Sequence, residues 1–156
     1  MLKRLLLPLS VAFLAVVGLV LLWGGGLWLF LDGYALVLVP GLGTLYAFAM
    51  FGGRAGAGAF AAALDEGASP SDLRSAQAFF DALGRAYLAF AFLGAIVSFI
   101  DMLKNLADRT QLGPRLAVAC VSLEYAAILL VFLVLPFRTA AARRLAAEEE
   151  GGRPRA

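Results

Sequence analysis

The chain has no histidine and a single cysteine, Cys120, which sits inside an apolar run. Counting alone therefore excludes an intramolecular disulfide and a Cys/His metal centre. Charge is scarce as well: 15% of the 156 residues are charged while 62% are hydrophobic, against about 25% charged in a soluble domain. Thirteen basic and 11 acidic side chains leave a net charge of +2, with none of the clustered basic surface that binding to nucleic acid requires. Missing too are a nucleophile–base pair, a metal-ligand cluster and a phosphate cradle. No cofactor is expected, and an intramembrane enzyme has little to stand on.

What the chain does have is long apolar runs and a mean hydropathy of +0.88, the signature of an integral membrane protein. Four segments are long enough to cross a bilayer as helices: Leu5–Trp23, Tyr34–Phe51, Ala86–Leu103 and Leu116–Phe137. The short alternating runs of a membrane barrel are absent. The expected fold is all-α, a single four-helix transmembrane domain over 1–137 with a short connection, 52–85, and a terminal helix and tail over 138–156. The first segment has too long an apolar core, and too poor a cleavage site at Trp23-Gly24-Gly25-Gly26, for a signal peptide. Trp28, Phe30 and Tyr34 suit an interfacial belt around a short hairpin that carries Asp32.

Ser69-Pro70-Ser71-Asp72 reads as a helix start, with Ser69 as cap and Pro70 in the first position. The stripe Leu73, Ala76, Phe79, Phe80, Leu83 carries that helix into the third span, which becomes part of a longer rod reaching into the cytoplasm. Gly113-Pro114 is expected to separate the third helix from the fourth, and Thr139 to Glu150 to form a charged, solvated helix. Lys3, Arg4, Arg54, Arg74, Arg85, Arg138, Arg143, Arg144, Arg153 and Arg155 gather on one side, against Lys104, Arg109 and Arg115 on the other. Both termini are then cytoplasmic.

Glu124 is the sharpest single signal, because an ionisable group deep in a span costs about 2.5–3.5 kcal/mol to insert. Either it is neutral and hydrogen-bonded to a neighbouring helix, or it faces a wet pore or a partner's cation. Gly94, Ser98, Asp101, Asn105 and Asp108 recur at steps of four and three, forming one face of the third span. Ala117, Cys120, Glu124, Ala127 and Val131 repeat that spacing on the fourth. A hairpin closed near Asp108 would set Glu124 level with Gly94 and Ser98, giving one polar seam; the plain alternative is close packing of small residues. Asp101 is either a solvated acid or the mouth of a cation path. Pro40, Gly41 and Gly43 in the second span, and Pro114 and Pro136, mark kinks or close packing, and the glycines have no phosphate-binding meaning without a preceding strand.

The stretch Gly94-Ala95-Ile96-Val97-Ser98-Phe99-Ile100-Asp101-Met102-Leu103-Lys104-Asn105-Leu106 resembles the GTLIGLxxMLxNL element of the MotA/TolQ/ExbB proton-channel family. Leu112-Gly113-Pro114-Arg115-Leu116-Ala117-Val118-Ala119 resembles its IGPxxAVA element, and Tyr125-Ala126-Ala127 and Leu135-Pro136-Phe137 fit its YGA and LPL positions. Phe30-Leu31-Asp32 and Val39 to Leu45 are similar to its FID and VLGGTLG elements, with the glycine spacing displaced by one residue.

The resemblance, closest to the MotA branch, implies a bacterial inner-membrane subunit that forms a homo-oligomeric ring, five copies in well-described members. The ring encloses a single-span MotB/TolR/ExbD-like partner whose helix carries the proton-accepting aspartate. Spans three and four would line the interior, and Gly94, Ala95, Ser98, Asp101, Ser122 and Glu124 are the ion-pathway candidates. The departures matter as much. The branch's proline falls at Leu88, its pore threonine at Ala95 and its threonine before LYG at Leu123, while Ser122 keeps one hydroxyl and Glu124 replaces an apolar residue. The short 52–85 connection lacks the large charged domain of flagellar members, which favours a compact energiser of another envelope machine. The alternative is a non-conducting scaffold that keeps only the family fold.

Overall fold

The computed structural model describes residues 31–65 and 67–151, together with Ser10 and Gly18. The first expected span, Leu5–Trp23, and the aromatic pair Trp28 and Phe30 lie outside the described residues, apart from Ser10 and Gly18. Among the described residues there is no strand, and three helices are long and apolar enough to cross a membrane, Gly33–Phe51, Pro70–Lys104 and Arg109–Glu148.

Helix α1, Gly33–Phe51, begins where the Asp32 carboxylate accepts the Ala35 N–H at 2.7 Å, a side-chain cap for an otherwise orphan donor. Its turns over Val37–Leu42 widen into a π-helix with Pro40 inside. Proline lacks the N–H of an α-helical bond and its ring crowds the preceding turn, so local widening is an expected response. Gly52, at φ +86°, then breaks the rod, a conformation open to glycine at little cost.

The glycine- and alanine-rich start of the 52–85 connection is a helix as well, α2, Gly53–Leu64. The sequence reading leaves this stretch as a connection, but alanine has the best helix propensity, and Gly56, Ala59 and Ala63 are buried. A Cβ on Gly56 would lie 2.6 Å from the Phe48 ring. Helix α3, Pro70–Lys104, starts as expected: the Ser69 hydroxyl accepts the Asp72 N–H at 3.2 Å and Pro70 occupies the first turn. Its 35 residues make a rod about 52 Å long, well beyond an apolar core of about 30 Å. It is the central post of the fold and packs against each of the other described helices.

The turn after α3 corrects the reading of Gly113-Pro114 as the helix boundary. Asp108 accepts the Thr110 N–H at 3.0 Å and starts α4, Arg109–Leu129, so that Pro114 lies inside the helix. An efficient cap six residues upstream outweighs the loss of one N–H bond at the proline. After α4 the helix widens over Leu130–Val134, immediately before Pro136 in α5, Leu135–Gly151. Both Pro40 and Pro136 therefore go with π-type turns.

At the end of the molecule bearing Gly52 and Pro70, α2, α3 and α5 close over an aromatic core. Phe79 meets Phe48 edge-on at 5.3 Å and Phe60 at 6.0 Å. Phe60 touches Phe80 at 5.0 Å and Phe137 at 5.3 Å, while Phe80 and Phe137 stack at 5.6 Å. Two polar clasps surround this core: Arg138 pairs with Asp81, and Arg144 donates to the carbonyls of Leu64 and Asp65 that end α2.

Candidate functional site

Helices α3 and α4 form an antiparallel pair whose rotation is fixed at two levels. A Cβ on Gly94 would meet Leu38 Cδ2 at 2.7 Å and Ser122 Oγ at 3.1 Å, so α1, α3 and α4 meet closely at Gly94. Nearer the Asp108 turn, Arg115 pairs with Asp101, and Asn105 donates from Nδ2 to the Asp101 carbonyl at 2.8 Å. Ala95 and Ser98 are buried on the same side of α3. Of the small and polar face expected on the third span, Gly94 and Ser98 are packed, Asn105 is half-buried, and Asp101 and Asp108 are exposed.

On the fourth span the expected face is turned the other way. Ala117, Cys120, Ala127 and Val131 are exposed and Glu124 is partly exposed, while Ala119, Ser122 and Ala126 are buried. Ser122, not Glu124, meets Gly94. The two positions are separated by about 200° around a helix of 3.6 residues per turn, so Glu124 points away from the seam. The signal was present in the chain: Gly94 and Ser122 are equidistant from Asp108, as are Asp101 and Arg115, whereas Glu124 is matched with Phe92.

The polar groups on the packed side are largely occupied. The Ser122 hydroxyl donates to the Val118 carbonyl at 3.0 Å, a back-bond within its own helix. Thr44 Oγ1 and the Tyr87 hydroxyl are 2.9 Å apart, a cross-helix hydrogen bond that the sequence reading did not single out. It depends on Gly43, where a Cβ would fall 2.6 Å from Tyr87 Cδ1. Gly41 has no such neighbour: its nearest would be the Leu36 carbonyl at 3.7 Å. The Tyr125 hydroxyl accepts the Asp32 N–H at 3.2 Å and ties the start of α1 to α4. Leu88 and Leu123, where the resemblance would have placed a proline and a threonine, are exposed. No hydrogen bond or ion pair joins Glu124 to another side chain among the described residues.

Over 59 residues, 38% of this chain, the sequence is 37% identical to Motility protein A of Aquifex aeolicus (strain VF5). The likeness is to a motility protein. The aligned stretch spans 23% of that relative's length, so the chain is similar to part of a Motility protein A. No family model matches the chain, and no solved structure matches it.

Proposed function

We propose that the chain is a MotA-like subunit of a stator-like proton channel in the bacterial inner membrane, working as a homo-oligomeric ring around a single-span partner. The observation that carries this reading is the 37% identity over 59 residues to a Motility protein A. It agrees with three apolar helices of which only 22, 33 and 28% of the spanning windows are buried within the chain, leaving wide surfaces for neighbouring helices and lipid. Ion flow driven by the membrane potential, about 2.3 kcal/mol per charge at 100 mV, would supply the mechanical work. The chain itself catalyses no covalent step in this reading.

The test is purification of the tagged chain from its native membrane with mass spectrometry and particle imaging, followed by proton flux in liposomes beside a known stator. A multi-copy ring that holds a single-span chain and moves protons is the expected result. A lone chain, or a complete ring that moves none while the reference does, overturns it.

A non-conducting scaffold is the second reading, favoured by the engagement of the seam's own polar groups: Ser122 with Val118 and Asp101 with Arg115. It expects Glu124→Gln to leave activity intact while bulky residues at Gly94 or Ser98 abolish assembly. The opposite pattern sinks it.

A further inference from the structure

An open groove of about 600 Å³ runs between α2 and the first turns of α3. Gly58 and Ala62 line it on α2, and Asp65, Asp72 and Ser75 stand around its Pro70 end. A Cβ on Gly58 would meet nothing within 4 Å, so the groove there is clear of the chain's own side chains. The two carboxylates are engaged only by their own turns: Asp65 accepts the Gly67 N–H at 3.0 Å, and Asp72 accepts the Ser69 hydroxyl at 2.6 Å. Among the described residues no basic side chain pairs with either carboxylate.

The outward face of α5 is the complement of this groove. Ala141 is buried in the core, and Arg143, two residues on, is turned about 200° away from it and exposed. Thr139, Ala142 and Ala146 are exposed beside it, which makes a narrow strip of small side chains carrying one positive charge. Within one chain the strip and the groove do not meet. Helix α5 and the turns before it pack on α3 at Asp81 and Gly84, whereas the groove adjoins α3 at Asp72 and Ser75, about 180° round the same helix. Between copies they do meet in depth. Copies inserted the same way up are related by rotation about the membrane normal, and rotation leaves depth unchanged. Arg144 donates to the Leu64 and Asp65 carbonyls of its own chain, so Arg143, about 1.5 Å from it along the axis, arrives at the height of a neighbour's Asp65.

We infer that the α2–α3 groove receives the outward face of α5 from a second copy of the chain, with Arg143 of that copy set against Asp65 and Asp72. Width, charge and depth agree, and the small residues on both sides allow the helices to approach closely. The contact joins two different surfaces, groove to helix, the kind that closes into a ring when repeated. It deepens the proposed function and rests on its ring.

The test combines Ser75→Cys and Ala146→Cys in the full chain, on a Cys120→Ala background, and treats native membranes with a short bis-maleimide. The expected result is a ladder of linked copies on a denaturing gel, because every copy offers both a groove and a helix; chains carrying one cysteine each, co-expressed, link only as pairs. Gly58→Trp, at a position with open space above it, fills the groove and removes the ladder. Arg143→Glu lowers it about fivefold, the scale of a solvent-exposed pair, and Asp72→Arg added to Arg143→Glu restores it. Absence of linked copies, a link to a different protein alone, a ladder unchanged by Gly58→Trp, or a charge reversal without effect or without rescue overturns the inference. Particle imaging of the same preparation separates the two readings: a multi-copy ring without this link keeps the proposed function and discards the contact, and where no ring forms both fall.

Discussion

The two ends of the molecule are built on different terms. Around Phe79 the helices close on one another: Phe79, Phe80, Leu73, Leu83 and Tyr87 are at most 1% exposed, with rings from four helices in edge contact. Around Gly94 the contact is a thin line of small residues, and the outward faces of α3 and α4 carry Phe92, Ile96, Leu123 and Val131 in the open. The first end resembles the core of a water-soluble protein, held by burial of apolar area. The second is unfinished without lipid or other helices, because lipid gives no hydrophobic drive between spans and leaves close packing and polar contacts to do the joining. The chain's own stability is accordingly concentrated at one end of the rods, and its need for other helices within the apolar layer at the other.

Phe79→Ala breaks that division most severely. It removes the ring that touches Phe48, Phe51, Phe60 and Phe80, and a cavity of that kind costs about 3–5 kcal/mol. The expected outcome is a large fall in the thermal midpoint of the detergent-solubilised chain and early proteolysis of α2, with Phe92→Ala, on the outward face, as a comparison that leaves both unchanged.

Glycine replacements in α1 and α3 sharpen the contrast. Gly43→Ala would push a Cβ to 2.6 Å from the Tyr87 ring, itself locked in the core, whereas Gly94→Ala meets the movable end of Leu38 at 2.7 Å. Overpacking of this kind costs about 1–3 kcal/mol, with Gly43→Ala near the upper limit and Gly94→Ala near the lower. Thermal midpoints of the two variants, measured side by side, should differ in that order; equal values would mean that the seam at Gly94 is as rigid as the core.

The apolar runs that form α1, α3 and α4, and the Ser69-Pro70 start of α3, were legible in the sequence because length, hydropathy and capping are local properties. Helix rotation is not local. The stripe Ala117, Cys120, Glu124, Ala127, Val131 is a true helical face, yet periodicity does not say whether a face turns toward a neighbour or away from it. The Asp101–Arg115 pair and the Gly94–Ser122 contact decide that, and both follow from the register of the hairpin. Helix α2 was missed for a similar reason: Gly53 to Leu64 lacks large apolar residues except Phe60 and Leu64, and its small residues become informative only when Phe48 and Phe79 are found against Gly56. The acid at 124 was visible from composition alone, and its outward aim was not.

Tyr87→Phe tests whether a polar contact in the spanning part adds to close packing. The substitution deletes the hydroxyl that meets Thr44 at 2.9 Å while keeping the ring against Gly43. Cross-helix hydrogen bonds in membranes average about 0.6 kcal/mol. A loss near that size is expected, with Thr44→Val adding little once the tyrosine is gone. A loss of several kcal/mol would make this bond, rather than the fit of the ring, the link between α1 and α3.

The smallest effect is expected at the clasp between α3 and α5. Arg138 and Asp81 are half exposed, with side-chain accessibilities of 49% and 35%, so water and salt screen the pair and it contributes less than about 1 kcal/mol. Asp81→Asn should lower the thermal midpoint slightly in low salt and not at all in high salt. The aromatic core directly beneath it should hold α5 in place in both conditions, so that Phe137→Ala, which opens the contacts to Phe60 and Phe80, destabilises regardless of ionic strength. A salt-independent loss in Asp81→Asn would show instead that the carboxylate acts inside that core, and the division between a self-sufficient end and an unfinished one would then rest on charge as well as on packing.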